Sequence, residues 1–443
     1  MVETNDNLVI YTVKDYKEKE YDELLRDMGE KVRQGYLVVF PTETVYGLGS
    51  NALSSDAVSR IFKAKKRPMC DPVICHVKDV DQAFTLFSKD QHELILKVLR
   101  ILAEEFWPGP LSLVAAASDI VPPEVMGGSG FVSARCPNHP VALDFIRSAN
   151  VPIAGPSANQ FGHISPSLAQ HVAKDFKNVH LSDQCQHFCQ EKLYLLDAGP
   201  CRVGIESTVC KVALSSDGSN LLELSILRRG FISLNDIKAV LQKHCEQFKT
   251  FRQGQYYHMF QNAKFNVIDR LEPFKNEGAG VEEANKNMIQ PLISPGNLLS
   301  HYAPLYSTFL LSRCKKSSAN YKISIGNESS VKALLNLSNC ILVDSFQKFA
   351  DISHLFGKYL SLYDGPRNSS KKESDTMQQN LFYQLHLAED SVSNLQNCSS
   401  ESFFICITDF YEEACLFGEG VLAVYDRVFR SASGKKATLV PYV

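Results

Sequence analysis

The alternation of short apolar runs with amphipathic segments constrains the fold of this chain more than any other feature. Over residues 8–245, strand-like runs such as YLVVF and PVICHV alternate with segments whose apolar residues recur at helical spacing. This alternation predicts an α/β domain, because strands followed by helices build a sheet with helices packed on it. Strand-like runs outnumber the helical crossovers toward its end, which indicates a mixed, twisted sheet. Ser233 and Asp236 have the spacing of a capping box before its last helix.

Beyond this domain the pattern stops and then returns. Residues 246–305 have no clear period, and the stretch NEGAGVEEANKNMIQPLISPGNLLSHYAP within them is polar and rich in Gly, Asn and Pro, which predicts a linker. Strands and helices alternate again over 306–443, including a helix predicted near 330–337, and this pattern is typical of a smaller Rossmann-like parallel α/β domain. No GxGxxG follows any of these strands, so the shape alone indicates no ligand.

Composition excludes several classes of protein. The 46 Lys and Arg nearly balance the 49 Asp and Glu, so any basic binding surface must be local. Thirteen cysteines without a CxxC pair favour reduced thiols over a secreted disulfide framework. The N-terminal residues do not resemble a signal peptide, and no apolar run approaches the about 18 residues of a membrane span. We therefore expect a cytoplasmic protein that does not enter a membrane.

The basic run KAKKRP at residues 63–68 has several interpretations: a nuclear-import signal, a nucleic-acid patch, a phosphate site, or the end of a helix. It closes a predicted helix that Pro68 stops, where solvent-facing cations would offset the helix dipole. It is also wedged between that helix and a buried strand, which disfavours a nuclear signal. Lys65 and Arg67 are two residues apart and could both reach a triphosphate, so the pattern favours phosphate binding.

Two further segments place polar side chains at predicted strand ends, where α/β folds bind ligands. FPTETVYGLGSNA at 40–52 carries threonines and glycines after a buried strand. AGPSANQFGHISPS at 154–167 places Ser157 and Asn159 on one face of an extended chain, where they could bind a phosphate or a carboxylate. Each segment is equally well interpreted as a capped turn without a ligand.

Other motif classes are weak or missing. HLSDQCQHFCQ at 180–190 offers two histidines and two cysteines for a zinc ion. Its cysteine spacing crowds a tetrahedral site and no second pair follows, so we expect no metal site there. The sequence contains no Walker loop, kinase signature, GxSxG or HExxH. The residues alone therefore indicate a ligand with phosphates and no covalent nucleophile.

Eight segments follow one another over residues 30–231: FPTETVYGLG, KKRP, HV after DPVI, WPGPLSL, ARCPNHP, PSAN, GIESTV and ILRRG. In order and spacing they together resemble the YrdC-like threonylcarbamoyl-adenylate synthases. SPGNLLSHYAP at 294–304 and parts of the C-terminal region resemble the family's longer, two-domain form. The resemblance implies a YrdC-like twisted mixed sheet with helices packed on it, plus a C-terminal Rossmann-like domain.

The resemblance also implies an activity. Such an enzyme is a nucleotidyltransferase that condenses L-threonine, bicarbonate and ATP into threonylcarbamoyl-adenylate and releases pyrophosphate. Mg²⁺ would accompany the ATP, without a metal site on the protein. The product would pass to a separate tRNA threonylcarbamoyl transferase complex for N6-threonylcarbamoyladenosine (t6A) modification, and direct binding of tRNA or double-stranded RNA is left open.

Individual residues acquire roles from the same resemblance. The family's basic-and-hydroxyl tetrad, which we expect to be catalytic, falls on Lys65, Arg67, Ser157 and Asn159. L-threonine would be held by Thr42, His76, Arg135, Ser157 and Ser207. Arg135 would pair with its carboxylate. ATP would be bound by Lys65, Arg67, Asp71, Asn159, Ser167, Arg228 and Tyr302. His301 and Tyr302 of the linker would close over the site as a lid.

Several positions depart from the family's pattern. Asp71 stands where an amide or a lysine is commoner and adds a negative charge near the phosphates; Arg229 replaces a proline, which leaves open which arginine meets ATP. Residues 297–300 replace the usual lid sequence. The alternative function is a catalytically weak relative that binds double-stranded RNA, tRNA or a nucleotide, but such a protein would not need the threonine-pocket residues. Modification of another protein with carbamoyl phosphate is disfavoured, since no acylphosphatase-like or zinc-finger segment is present.

Overall fold

The structure of the protein is a computed structural model. It describes residues 2–4, 8–13, 19–179, 181, 192–215, 217, 219–244, 249, 257–267, 302–313, 321–327, 330–363, 371–399, 401–433 and 435–441. The chain divides into two compact units. Unit 1 is Met1–Phe161, Pro166–Arg270 and Met288–Asn297, and unit 2 is Gly162–Ser165, Leu271–Asn287 and Leu298–Val443. The predicted domains 8–245, 246–305 and 306–443 stay predictions, since most of the linker lies outside the described residues.

The described strands of unit 1 form one sheet in the order β1-β2-β9-β3-β4-β8-β5-β7-β6-β10-β11-β12. Strands β2 and β9 pair in parallel, whereas β3 and β4 pair antiparallel, so the predicted mixed sheet is confirmed. Their bounds are β1 Val2–Thr4, β2 Leu8–Thr12, β3 Val38–Phe40, β4 Gly47–Asn51, β5 Ile74–His76, β6 Leu111–Ala116, β7 Phe131–Arg135, β8 Ile153–Ala154, β9 Leu193–Asp197, β10 Thr208–Leu214, β11 Leu222–Arg228 and β12 Lys264–Val267.

Helices pack on both faces of this sheet. Their bounds are α1 Lys19–Arg33, α2 Ser55–Lys65, α3 Val80–Leu86, α4 Glu93–Phe106, α5 Pro123–Met126, α6 Pro140–Ala149, α7 Ala169–Phe176, α8 Leu234–Lys243 and α9 Tyr257–Gln261. Val38 and Phe40 of β3 join a buried cluster with α1 and α6, whereas Val39 joins the larger cluster with α2 and α4. Successive side chains of a strand point to opposite faces, so β3 contributes to two cores.

Unit 2 contains a smaller sheet of order β15-β14-β19-β13-β18-β16-β17. Its centre is parallel, as predicted for a Rossmann-like domain, and an antiparallel pair of β14 and β15 extends one edge. Its described strands are β13 Thr308–Arg313, β14 Tyr321–Asn327, β15 Ser330–Leu335, β16 Cys340–Asp344, β17 Lys358–Ser361, β18 Phe404–Thr408 and β19 Lys436–Pro441. Its described α-helices are α10 Lys371–Cys398, α11 Tyr411–Phe417 and α12 Glu419–Ser431.

One element of unit 2 was predicted wrongly. The helix expected near 330–337 is strand β15, which pairs along its length with β14. Its run SVKALL satisfies a helical pattern as well as a strand, and the pairing decides between them. The two His and two Cys of the segment 180–190 all lie outside the described residues. Among the described helices, none is both long enough and apolar enough to cross a membrane.

Candidate active site

At the end of helix α2, Lys65 and Arg67 of the basic run are buried within unit 1. Ser54 caps the start of the helix by accepting a hydrogen bond from the Ala57 amide. At the other end Lys66 adopts the left-handed conformation, with φ of 54°. Lys65 and Arg67, on either side of this turn, are buried to 1% and 7% exposure. The expectation that these cations face solvent is therefore wrong.

Lys65 connects helix α2, through hydrogen bonds, to the loop that carries Ser157 and Asn159. Its Nζ donates a hydrogen bond to the carbonyl oxygen of Ser157 at 2.6 Å and another to that of Asn159. The amide of Phe161 in turn donates to the carbonyl of Lys65 at 2.9 Å. Burial, and then the neighbouring charge of Arg67, lower the pKa of Lys65 well below its ordinary value. Within the described residues two of the three donors of the Lys65 ammonium group are used, which leaves one for a ligand.

Arg67 is held by the segment that follows it. Its Nε donates to the Asp71 carbonyl at 2.9 Å, and its Nη2 donates to the Pro72 carbonyl at 2.8 Å. Nη2 also lies 2.9 Å from Oδ2 of Asp71 in a buried ion pair. Neither carboxylate oxygen of Asp71 accepts a hydrogen bond from the described residues. The negative charge expected near the phosphates is thus already paired with the arginine.

The charge of a third cation, Arg228, also acts on Asp71. Burial raises the pKa of its carboxyl group, and the charges of Arg67, Lys65 and Arg228 oppose that shift. Arg228 ends strand β11 and is buried, whereas Arg229 is partly exposed. Arg228, rather than Arg229, is therefore the arginine of β11 whose charge acts on Asp71 together with those of Lys65 and Arg67. We call Lys65, Arg67 and Arg228 the cation cluster.

Ser207, itself a predicted threonine ligand, contacts one member of the cation cluster. Arg228 donates to the Ser207 carbonyl through Nε and to its hydroxyl through Nη2, both at 3.1 Å. The same hydroxyl lies 2.8 Å from that of Ser112 on β6. Ser167 is buried to 4% exposure, and its hydroxyl has no hydrogen-bond partner among the described residues. It is therefore available to a ligand.

In the turn between β3 and β4, the Thr42 side chain hydrogen-bonds to the backbone of the turn itself, as in a capped turn. The Thr42 hydroxyl donates to the Val45 carbonyl at 2.6 Å and accepts from the amides of Thr44 and Val45. It also lies 2.9 Å from the Thr44 hydroxyl, which accepts a hydrogen bond from Nη1 of Arg135. Thr42 therefore builds the turn that supports Arg135, and its expected contact with L-threonine stays a prediction.

His76 ends strand β5 as a buried, neutral imidazole. Its Nε2 lies 3.0 Å from the Gly155 carbonyl, which assigns the proton to that nitrogen. Burial, and then the charge of Arg135, lower the pKa of His76 to about 3. Its Nδ1 has no partner among the described residues, so it can accept a hydrogen bond from a ligand hydroxyl.

Arg135 has a buried partner that sequence reasoning missed. Its Nη2 lies 2.6 Å from Oε2 of Glu43, and both side chains are almost fully buried. Nε of Arg135 donates to the Gly109 carbonyl at 3.2 Å. Glu43 lies within the quoted segment FPTETVYGLG, but nothing in the sequence indicates which distant cation it meets.

Tyr302 is buried within unit 2. Its ring packs against Phe382 with 5.5 Å between centroids, and its carbonyl accepts a hydrogen bond from the Ser431 hydroxyl at 2.9 Å. Its expected contact with ATP stays a prediction. His301 and residues 297–300 lie outside the described residues.

Two family models match the chain. The Sua5/YciO/YrdC model, described as "Telomere recombination", matches residues 30–230, and the model "Threonylcarbamoyl-AMP synthase, C-terminal domain" matches residues 232–433. A putative threonylcarbamoyl-AMP synthase of Mycobacterium tuberculosis is 31% identical over 213 residues, which cover 85% of it and 47% of this chain. The chain belongs to the Sua5/YciO/YrdC family. The resemblance predicted from the eight segments is confirmed.

Other members of the Sua5/YciO/YrdC family agree with this assignment. The threonylcarbamoyl-AMP synthase of Pyrococcus abyssi is 41% identical over 212 residues, which cover 47% of this chain and 55% of that protein. The chain thus spans about half the length of this curated relative. A crystal structure of P. abyssi Sua5 complexed with L-threonine aligns over 97% of this chain and 99% of its own, with a TM-score of 0.64 and 25% identity. The predicted two-domain α/β fold is confirmed.

Proposed function

We propose that this chain is a threonylcarbamoyl-AMP synthase, which makes threonylcarbamoyl-adenylate and pyrophosphate from L-threonine, bicarbonate or CO2, and ATP. The observation that carries the proposal is the pair of hydrogen bonds from Arg228 to Ser207. Ser207 is a predicted threonine ligand and Arg228 a predicted ATP ligand. Their contact would bring the two substrates to the same place in unit 1.

The proposed reaction needs positioning and charge rather than a nucleophile on the protein. The amine of threonine attacks CO2 to form a carbamate and releases a proton. A carbamate oxygen then bonds to the α-phosphorus of ATP, and the bond to the β-phosphate oxygen breaks as pyrophosphate leaves. The cation cluster would offset the charge that develops on the phosphates, in a buried site where such interactions are strong.

The threonine side of the site is proposed from two buried nitrogen atoms, Nη2 of Arg135 and Nδ1 of His76, that make no hydrogen bond within the described residues. Arg135 would pair with the substrate carboxylate, and Nδ1 of neutral His76 would accept a hydrogen bond from the substrate hydroxyl. Thr42 would hold the turn around them. A site that fixes both substrates removes much of the entropic barrier to their reaction.

We propose that Mg²⁺ enters with ATP. The described residues contain no group of three or more His, Cys, Asp or Glu side chains placed to hold a metal. Asp71 fits a single-ligand role beside its ion pair: Oδ2 is paired with Arg67, and Oδ1 accepts no hydrogen bond from the described residues. Mg²⁺ characteristically takes one or two carboxylates together with substrate phosphates and water. When bound, it would neutralise part of the triphosphate charge.

Burial of the cations supports a small-ligand site over the alternative of an RNA-binding module. Lys65, Arg67 and Arg228 are each less than a tenth exposed, so they cannot lie along the backbone of a duplex. A buried cation cluster suits a small phosphorylated ligand. We further propose that the product is passed to a separate tRNA threonylcarbamoyl transferase complex, and that the protein is cytoplasmic.

The test is pyrophosphate release by the purified full-length chain with ATP and Mg²⁺, measured with L-threonine and bicarbonate together and with each of them left out. We expect release that depends on both threonine and bicarbonate. Release that is equal without threonine would contradict the proposal, since an ATP pyrophosphatase needs no amino acid. A folded protein that binds ATP but releases no pyrophosphate would favour the nucleotide-binding alternative.

A further inference from the structure

The buried pair of Glu43 and Arg135 contains polar atoms that the fold leaves unsatisfied. Glu43 is 1% exposed, and neither of its carboxylate oxygens accepts a hydrogen bond from the described residues. Nη2 of Arg135 is likewise without a hydrogen bond, although it lies 2.6 Å from Oε2 of Glu43. Buried charges are costly unless they are both paired and hydrogen-bonded. This pair therefore has the charge balance but lacks the hydrogen bonds.

The rest of Arg135 is already fixed in place. Nε donates to the Gly109 carbonyl, and Nη1 donates to the Thr44 hydroxyl at 2.9 Å. These two hydrogen bonds fix the orientation of the guanidinium group. The N–H groups of Nη2 remain to meet a ligand. A carboxylate is the acceptor that an arginine best accommodates.

The charge of Glu43 affects the pKa of three further titratable neighbours, His139, Cys136 and Cys201. None of them is a second cation that could pair with the Glu43 carboxylate. Burial lowers the pKa of His139, so that this imidazole is neutral near pH 7. Burial likewise raises the pKa of the Cys201 and Cys136 thiols, which stay protonated. The backbone position of Glu43 is fixed, because its carbonyl accepts from the Val203 amide at 2.6 Å. A ligand that donates from a positive group would complete the carboxylate.

We propose that Glu43 binds the α-ammonium group of L-threonine while Arg135 binds its carboxylate. The two charges of an amino acid are attached to the same carbon, and the two charges of the protein pair lie 2.6 Å apart. One zwitterion can therefore meet both members of the pair. This inference rests on the proposed function, and it makes Glu43 a specificity-determining residue that rejects hydroxy acids without an amino group.

The test compares L-threonine with 3-hydroxybutyrate, which retains the carboxylate and the hydroxyl but lacks the amino group. Binding of both to wild type and Glu43→Gln is measured by calorimetry. Because a hydrogen bond to a charged group contributes about 1.5–3 kcal/mol, we expect Glu43→Gln to weaken the binding of L-threonine by about 10- to 100-fold. The affinity for 3-hydroxybutyrate should stay the same or rise, and ATP binding should not change.

Asp426→Asn in unit 2 is the matched control, because it also removes a largely buried carboxylate paired with arginine. It should leave the affinity for L-threonine within about twofold. If Glu43→Gln weakens both ligands equally, Glu43 only positions Arg135 and the inference is overturned. An unchanged affinity for L-threonine overturns it as well.

Wild-type protein alone gives a second test if Glu43→Gln does not fold. L-threonine should bind it at least about tenfold more tightly than 3-hydroxybutyrate, and equal affinities would contradict the inference. Binding of L-threonine without this preference would refute only the role of Glu43. No binding of L-threonine to a folded wild-type protein would refute the proposed function as well.

Discussion

At the scale of single residues, the sequence predicted Lys65 as a site residue but not its environment. Its two acceptors are 92 and 94 positions away along the chain, on a loop whose approach depends on the whole sheet. A helix-terminal lysine in a polar run is usually solvent-exposed, so local reasoning favoured that outcome. The same limit applies to Glu43 and Arg135, since charge pairing at long range is a property of packing and not of motif.

Replacing Lys65 by Ala should destabilise the protein as well as inactivate it. The change removes the donor to two carbonyl groups of the site loop, and we expect a loss of about 1–3 kcal/mol in the free energy of unfolding. Chemical denaturation measures it. Lys63→Ala, on an exposed position of the same helix, should change stability by less than about 0.5 kcal/mol. Equal stability of the two variants would show that the buried hydrogen bonds contribute nothing.

Asp71→Asn separates the two effects of a carboxylate in the proposed ATP site. Removing its negative charge should tighten binding of metal-free ATP, because Arg67 is then no longer neutralised. Loss of a metal ligand should at the same time reduce the gain in affinity that Mg²⁺ gives. ATP titrations of wild type and variant, with Mg²⁺ and with EDTA, measure both. A tighter metal-free complex whose gain from Mg²⁺ is unchanged would exclude Asp71 as a ligand.

The depressed pKa of His76 makes stability depend on pH in a defined direction. Its pKa is about 3 in the folded protein against 6.5 for an ordinary histidine, so between these values the unfolded chain binds more protons. Above pH 6.5 both states are neutral and stability is unaffected; below it stability falls as pH falls. From pH 6.5 to 5 the wild type should lose about 1.5 kcal/mol more than His76→Asn. Parallel pH profiles of unfolding would contradict this.

At the scale of elements, prediction succeeded where the signal is local. The capping box is present as expected: Ser233 accepts from the Asp236 amide, and the Asp236 carboxylate accepts from the Ser233 amide. Strand β15 failed, because its pairing with β14 is not visible in its own residues. Local hydrogen bonds are encoded within a few positions, whereas strand pairing requires knowledge of the partner.

Ser233→Ala should destabilise helix α8 without touching the site. Loss of an N-cap hydroxyl typically costs about 1 kcal/mol, and thermal unfolding should show a corresponding decrease in Tm. Ser55→Ala, at an exposed helical position next to a cap, is the control and should have little effect. Equal Tm values for the two variants would mean that the capping box is not stabilising.

At the scale of the whole molecule, the order of eight short segments predicted both the family and the fold. That success depends on many weak signals along one chain, each of which alone also fits a capped turn or a helix end. The chemistry of the site was predicted less completely. The sequence predicted which residues would meet phosphates, and the structure adds that the cation cluster is buried and hydrogen-bonded to carbonyl groups of the protein.

The most direct test of the proposed synthase is the identity of its product. The full-length chain is incubated with ATP, Mg²⁺, L-threonine and ¹³C-bicarbonate, and the nucleotides are analysed by mass spectrometry. We predict threonylcarbamoyl-adenylate carrying one ¹³C, together with pyrophosphate in equal amount. Formation of ADP, or of AMP with no labelled adenylate, by folded protein that binds both ATP and L-threonine would contradict the account.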